Sequence, residues 1–175
     1  RELQGESFTV ISVIGDGALT GRMAYEALNN AADLNKNFII VLNDNEMSIT
    51  KNVGGMSNYL GNIRTAASYT ELKIGVTQAL KKIPRVGEGM VDALHKTKNS
   101  IKQFVIPGML FENMGLTYLG PVDGHNISQM VKVLQEAKRK DGPVLVHVLT
   151  EKGRGYAPAV RHPARFHGTA PFEIE

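Results

Sequence analysis

The chain contains no cysteine and no tryptophan. Without thiols there is no disulfide, no thiolate nucleophile and no Cys-ligated zinc, and the composition suits a reducing cytoplasm. Aromatic residues make up only 6% of the sequence, and none interleave with basic residues as a base-stacking surface requires. Charge of one sign is scarce as well: 20 Lys and Arg face 17 Asp and Glu, a net charge of +3. The short clusters Lys81-Lys82 and Lys138-Arg139-Lys140 read as solvated helix faces, so no nucleic-acid partner is expected. No run of 18 apolar residues is present, which excludes a membrane-spanning helix. The opening residues, Arg1 to Ser7, lack the charged-then-apolar pattern of a signal peptide. What is present is 175 residues at 42% hydrophobic content, enough for one domain with a real core. A soluble intracellular α/β domain is expected.

Runs of β-formers predict strands at Phe8–Ile14, Phe38–Leu42, Leu116–Leu119 and Val144–Leu149. The first, second and fourth are nearly continuously apolar, as parallel strands buried on both faces must be. Helices are expected at Thr20–Ala32, Asn58–Lys82, Gly87–Phe104 and Ile127–Lys140. In the last, Ile127, Met130, Val131, Leu134 and Ala137 recur at helical spacing before Asp141-Gly142-Pro143 ends the pattern. Ser48 to Gly61 is polar, glycine-rich and weakly periodic. It is either a mobile loop beside a site or an ordinary surface excursion.

The stretch from Gly15 to Met47 is the most informative. A predicted strand runs into Gly15-Asp16-Gly17, a helix follows, and a second strand ends at Asn43-Asp44-Asn45. Such a βαβ unit brings both oxygen-rich turns to the C-terminal edge of a parallel sheet, where open α/β sheets bind ligands. Mg²⁺ takes octahedral oxygen ligands and usually only one or two protein carboxylates, with phosphate and water completing its shell. Asp16 offers a carboxylate, Asn45 an amide oxygen and Met47 a backbone carbonyl. Gly15 and Gly17 permit a sharp turn and a close approach to an anion. The N–H groups of Gly17, Ala18 and Leu19 are expected to open the following helix and face a phosphate. A Gly-Asp-Gly by itself is an ordinary turn; the flanking strand, helix and second strand are what suggest a diphosphate site. A dinucleotide fingerprint fails because Thr20 stands where its third glycine belongs, and no Gly-Lys-Ser/Thr follows for a P-loop.

These residues, and the longer run GDGALTG, EALNNA and NDNEMSI, resemble the thiamine-diphosphate signature of the transketolase-like enzymes. Further stretches carry the resemblance along almost the whole chain: PGMLFENMGLTYLGPVDGHN at 107–126, HVLTEKGRGYAPA at 147–159 and RFHGTAPFEIE at 165–175. One departure is Arg22, where the family has glycine. The resemblance implies a three-layer α/β/α domain with a mainly parallel sheet, the thiamine-diphosphate-binding fold, here incomplete. It implies thiamine diphosphate and Mg²⁺ as cofactors and a homodimer. The implied reaction decarboxylates pyruvate and transfers the two-carbon remnant to D-glyceraldehyde 3-phosphate, toward isoprenoid and thiamine biosynthesis. Residues 1–175 then form part of the diphosphate-binding domain. The upstream cofactor segments and a downstream pyrimidine-binding domain are expected elsewhere in a longer chain, and this part alone is expected to be inactive. The alternatives are a transketolase or 2-oxoacid dehydrogenase component, against which the 107–126 run argues, or a non-catalytic Mg²⁺/diphosphate-binding module.

Four histidines divide by context. His125 lies in a turn ahead of an Asn126-led helix and reads as structural, His147 falls inside a strand and is expected buried and hydrogen-bonded, and His162 reads as loop. His167 matches a histidine that the family places near its cofactor, so the resemblance implies a catalytic role there. Gly153-Arg154-Gly155-Tyr156 is either a tight turn or a close approach to ligand, and the resemblance implies that Tyr156 contacts the cofactor.

Overall fold

Four apolar segments pair in parallel to make one sheet, with the strands in the order β1-β2-β4-β3. They are β1 (Val10–Gly15), β2 (Phe38–Asp44), β3 (Thr117–Asp123) and β4 (Pro143–Leu149). In this computed structural model, residues 1–48, 51–65 and 109–173 are described. The expected helix Gly87–Phe104 and the part of Asn58–Lys82 beyond residue 65 lie outside the described residues. A 3₁₀ turn, Glu2–Gln4, precedes β1. The helices are α1 (Asp16–Leu19), α2 (Arg22–Leu34), α3 (residues 55–65), α4 (Met109–Asn113), α5 (Ile127–Lys138) and α6 (Ala157–Arg161).

The central strands β2 and β4 are apolar along nearly their whole length because helices cover both of their faces. On one face Ile40, Leu42 and Leu145 pack with Leu28 and Ala31 of α2, Leu60 and Ile63 of α3, and Phe111 of α4. On the other, Ile39, Val41, Val144, Val146 and Val148 meet Val133 and Ala137 of α5. The result is the expected three-layer α/β/α arrangement with a parallel sheet. Each fully buried Leu, Ile or Val contributes about 1.5–3 kcal/mol relative to exposure, so these two layers supply most of what holds the strands in place. Helix ends are set locally. Asn126 caps α5 by accepting the Gln129 N–H at 3.1 Å, and Asn35 stops α2 in the left-handed conformation at φ 44°.

Several boundaries differ from the sequence expectations for identifiable reasons. β2 runs on through Asn43 and Asp44, which pair with Val148 and Leu149. These polar residues stay in the ladder because tertiary partners satisfy their side chains. The expected helix at Thr20 begins instead at Arg22, after the separate single turn α1. The helix expected from Asn58 begins three residues earlier, so residues 55–57 are helical as well. Met56, Tyr59, Leu60 and Ile63 stand at i, i+3, i+4 and i+7 and all face the core, a period obscured by neighbouring glycines. β3 continues past Leu119 through a register shift between Leu119 and Val122.

At that shift Gly120 has φ 135° and lies so close to β4 that an added Cβ would sit 2.6 Å from the His147 carbonyl oxygen. Both the backbone conformation and the space require glycine. Gly120→Ala in the full-length protein is expected to cost about 1–3 kcal/mol and lower the melting temperature. Gly55, helical with nothing within 4 Å of an added Cβ, is the control of opposite sign. Gly55→Ala is expected to stabilise by about 0.4–1 kcal/mol. Equal melting curves for the two variants would contradict this packing.

Candidate functional site

The C-terminal ends of all four strands meet along one edge. Asp16 follows β1, Asn45 follows β2, Gly124 and His125 follow β3, and Thr150 to Lys152 follow β4. Cross-links knit this edge together. Thr150 N–H donates to the Asp44 carbonyl at 2.9 Å, and Gly124 N–H to the Leu149 carbonyl at 2.8 Å. The Thr150 hydroxyl donates to Asn43 Oδ1 at 2.7 Å. His125 accepts the Glu151 N–H through Nε2 at 2.8 Å, the structural turn role expected of it.

Asp16 is only 2% exposed. Its Oδ1 accepts the Gly17 N–H at 2.9 Å, while its Oδ2 is buried with no hydrogen-bond partner among the described residues. Burial pushes this carboxyl up to about 6, and the adjacent Asp44 carboxylate adds to the shift. A buried anion with one oxygen left open is costly by itself and fits a hard cation.

Asn45 and Met47 lie beyond the adjacent strand end. Asn45 is half-buried, and its Oδ1 accepts the Met47 N–H at 3.1 Å, closing a tight Asx turn. Glu46, between them, takes φ 64°, a left-handed conformation uncommon for a residue with a side chain. The Asn45 oxygen retains one lone-pair direction and the Met47 carbonyl needs no side chain. The three oxygens proposed as ligands therefore sit at the ends of neighbouring strands. Among the described residues no three His, Asp or Glu side chains cluster as a metal cage. One carboxylate with neutral oxygens is the kind of set Mg²⁺ uses when a phosphate completes the shell.

Two expectations for the glycine turn need correction. The N–H groups of Gly17, Ala18 and Leu19 open the four-residue α1 rather than the long helix, and Asp16 already takes the Gly17 N–H. Gly15 is extended, at φ −85° and ψ 157°, and a Cβ there would meet nothing within 4 Å. The space beside it is open, but its backbone does not demand glycine. Gly17 is the crowded position, because a Cβ would approach Ser48 Cβ to 2.8 Å. Arg22 is exposed at the start of α2.

Tyr156 and His167 lie after β4. The Tyr156 ring packs edge-on against Phe166 with centroids 5.7 Å apart, and Phe172 lies 6.2 Å away. His167 is exposed, and its Nδ1 is in contact with Lys152 Nζ. Lys152 also donates to the Ser48 carbonyl at 3.3 Å, so the His167 segment is linked to the turn after β2.

Sequence reasoning missed the polar network beneath these residues. Asp44 is 1% exposed; its Oδ2 contacts His147 Nε2 at 2.9 Å, and its Oδ1 contacts Arg64 at 2.5 Å. His147 Nδ1 in turn contacts the Tyr118 hydroxyl at 2.8 Å. His147 thus bridges the two groups, with Nε2 facing the Asp44 carboxylate and Nδ1 the Tyr118 hydroxyl. Burial raises the Tyr118 hydroxyl well above its ordinary pKa, so it remains a donor. Burial also works against the charged form of Asp44, but His147 and Arg64 outweigh it and hold the carboxyl below the usual range. The one sequence signal was His147, polar inside an apolar strand.

The two carboxylates thus differ in kind: Asp44 is satisfied and Asp16 is not. A carboxyl whose pKa is raised by folding has its protonated form favoured, so its penalty is absent below about pH 4 and complete above about pH 6. Asp16→Asn is expected to stabilise the cation-free full-length protein at pH 7 by up to about 3 kcal/mol, the equivalent of a shift of about two pK units. The gain is expected to vanish near pH 4. Melting curves of both proteins at the two pH values check this, and a pH-independent difference would contradict it.

Comparison with known proteins identifies the family. The profile of the 1-deoxy-D-xylulose-5-phosphate synthase family matches residues 1–150. Proteins named 1-deoxy-D-xylulose-5-phosphate synthase align over the full 175 residues, at 58% identity in Lachnoclostridium phytofermentans and 53% in Natranaerobius thermophilus. A third, from Caldanaerobacter subterraneus, is 51% identical. In each case the match covers 100% of this chain and 28% of the relative, so the chain spans little more than a quarter of those proteins. Among solved structures, a transketolase from Campylobacter jejuni matches at 19% identity with a TM-score of 0.49, covering 85% of this chain and 17% of that one. By its sequence from end to end, and with a parallel sheet edge carrying Asp16 and Asn45, the chain belongs to the 1-deoxy-D-xylulose-5-phosphate synthase family.

Proposed function

We propose that this chain is the diphosphate-binding part of a thiamine-diphosphate-dependent transferase. In the full-length protein that enzyme decarboxylates pyruvate and transfers the two-carbon remnant to D-glyceraldehyde 3-phosphate, giving 1-deoxy-D-xylulose 5-phosphate. The unpaired, buried Asp16 oxygen at the sheet edge carries the reading. It is the feature that a solely structural module has least reason to keep, and the identity to the synthases over the whole of this chain supports the substrate pair. A cytoplasmic homodimer belongs to the same proposal, on the family resemblance.

In this reading Asp16, Asn45 and the Met47 carbonyl hold Mg²⁺, which neutralises the diphosphate. The Gly17 and Ala18 backbone and the Asn45 side chain would be the groups that hold the diphosphate. When bound, the thiazolium ring of thiamine diphosphate supplies the carbon–carbon bond chemistry as an electron sink. The protein's part is to bind, orient and exclude water. Tyr156, its ring fixed by Phe166, forms a wall of the cofactor site. His167 moves or stabilises a proton near the reacting carbons, and the Lys152 contact at Nδ1 leaves Nε2 as the working atom.

The test uses the full-length enzyme with pyruvate and D-glyceraldehyde 3-phosphate, following carbon dioxide release and the phosphorylated product. Asp16→Ala is expected to weaken thiamine diphosphate binding strongly in the presence of Mg²⁺, as read by calorimetric titration. His167→Ala is expected to lower kcat by about 10²–10⁴-fold while leaving cofactor affinity and melting temperature nearly unchanged. Unchanged cofactor affinity in the first variant would remove the metal assignment. Wild-type turnover in the second would return His167 to a loop role.

A further inference from the structure

Arg64 reaches the site edge from the last described turn of α3, and its guanidinium grips two carboxylates at once. One nitrogen contacts Asp44 Oδ1 at 2.5 Å and another contacts Glu46 Oε1 at 3.0 Å. Those two residues flank Asn45 in the sequence, so the guanidinium spans the position read above as a metal ligand. The grip is unequal. Asp44's side chain is fully buried and Glu46's is 67% exposed, so the inner prong is anchored and the outer one is solvated. Asp44 cannot swing away, because His147, itself fully buried and contacting Tyr118, holds its other oxygen. Glu46 meanwhile adopts the left-handed conformation at φ 64°, which an exposed glutamate adopts only where its surroundings impose it. Local bonds complete the turn: Glu46 N–H to Asp44 Oδ1 at 3.3 Å, Met47 N–H to Asn45 Oδ1 at 3.1 Å, and Asn52 N–H to the Glu46 carbonyl at 3.2 Å.

We propose that Arg64 is a positioning residue for the cation site: its forked grip on Asp44 and Glu46 holds the Asn45–Met47 turn with the Asn45 amide and Met47 carbonyl in ligating register. This rests on the Mg²⁺ reading of Asp16, Asn45 and Met47. The role is geometric and runs against the simple electrostatic one, since a positive charge this near a cation site weakens cation binding by itself. Lysine keeps that charge but offers a single point donor in place of a planar fork. Arg64→Lys therefore separates geometry from charge.

Mg²⁺ is titrated into the full-length protein at saturating thiamine diphosphate, with binding read by calorimetry, and each protein is also melted without cofactor. Arg64→Lys is expected to weaken Mg²⁺ about 10-fold, in the range of changes to groups supporting a metal's ligands. The cofactor-free melting temperature is expected to move little. Hydrogen exchange at the Met47 amide in the cofactor-free protein is expected to accelerate. Glu46→Gln, which loosens only the exposed prong, is expected to weaken Mg²⁺ in the same direction by a smaller factor, and it carries the test if Arg64→Lys does not fold. Wild-type Mg²⁺ affinity in the folded variant overturns the proposal, as does a loss matched by a collapse of the cofactor-free melt. Asp16→Asn, measured alongside, separates the levels: if it too binds Mg²⁺ normally, the metal reading fails, and if it alone loses Mg²⁺, only the role of Arg64 fails.

Discussion

The buried carboxylate of Asp44 is the constraint around which the edge of the sheet is organised. An ionised carboxylate removed from water is tolerated only when its oxygens are fully engaged, and an incomplete set of partners would be strongly destabilising. Asp44 meets that demand with His147 from β4, Arg64 from α3 and the Glu46 N–H from its own turn. Each bond ties a different segment to the end of β2. His147 in turn uses Tyr118 of β3, so the chain of contacts crosses three neighbouring strands. The apolar layers fix which strands pair. The polar chain fixes how their ends align.

Asp16 stands beside this network in the opposite state, buried with an open oxygen next to a carboxylate whose charge is held in place. Geometry and electrostatics here oppose stability. A protein selected for stability alone has little reason to keep such a group, whereas a cation site requires an uncommitted anionic oxygen. The cost is borne locally because the surrounding edge is knitted so tightly, through Thr150 to Asn43 and to the Asp44 carbonyl.

A more exposed segment continues from this edge after β4. The turn after β4 and residues 162–168 are held by an aromatic trio, Tyr156, Phe166 and Phe172, and by the contact of Lys152 with His167. Phe172 is half exposed, so the trio is a partly solvated cluster and not an extension of the core. Lys152 is the bridge between the two regions, since it also reaches the Ser48 carbonyl just past the Asn45 turn.

The sequence by itself determined the elements whose pattern is local. The apolar runs of β2 and β4 announced buried parallel strands, whereas β1, expected buried from the same pattern, is the edge strand of the order β1-β2-β4-β3 and leaves Val10, Ile11 and Val13 exposed. The spacing in α5 with its Asn126 cap announced a helix at nearly its observed length. The order Gly-Asp-Gly, helix, strand, Asn was sufficient to place Asp16 and Asn45 at neighbouring strand ends, because a parallel βαβ unit leaves both at the same edge. His147 was legible as a buried polar residue from its place in an apolar strand. Only the tertiary structure decided what lies between these landmarks. Propensity marked Asn43 and Asp44 as turn, yet they remain in the ladder because partners 20 to 107 residues away satisfy their side chains. The helix expected from Asn58 starts instead at residue 55, where the glycine-rich stretch carried no helical sign and the packing of Met56 extends the apolar period. Arg64 carried no signal at all, since a cation on a helix resembles any solvated residue until the fold brings two carboxylates to it. Local pattern specifies the backbone period, but the satisfaction of a buried charge depends on which distant groups the fold delivers.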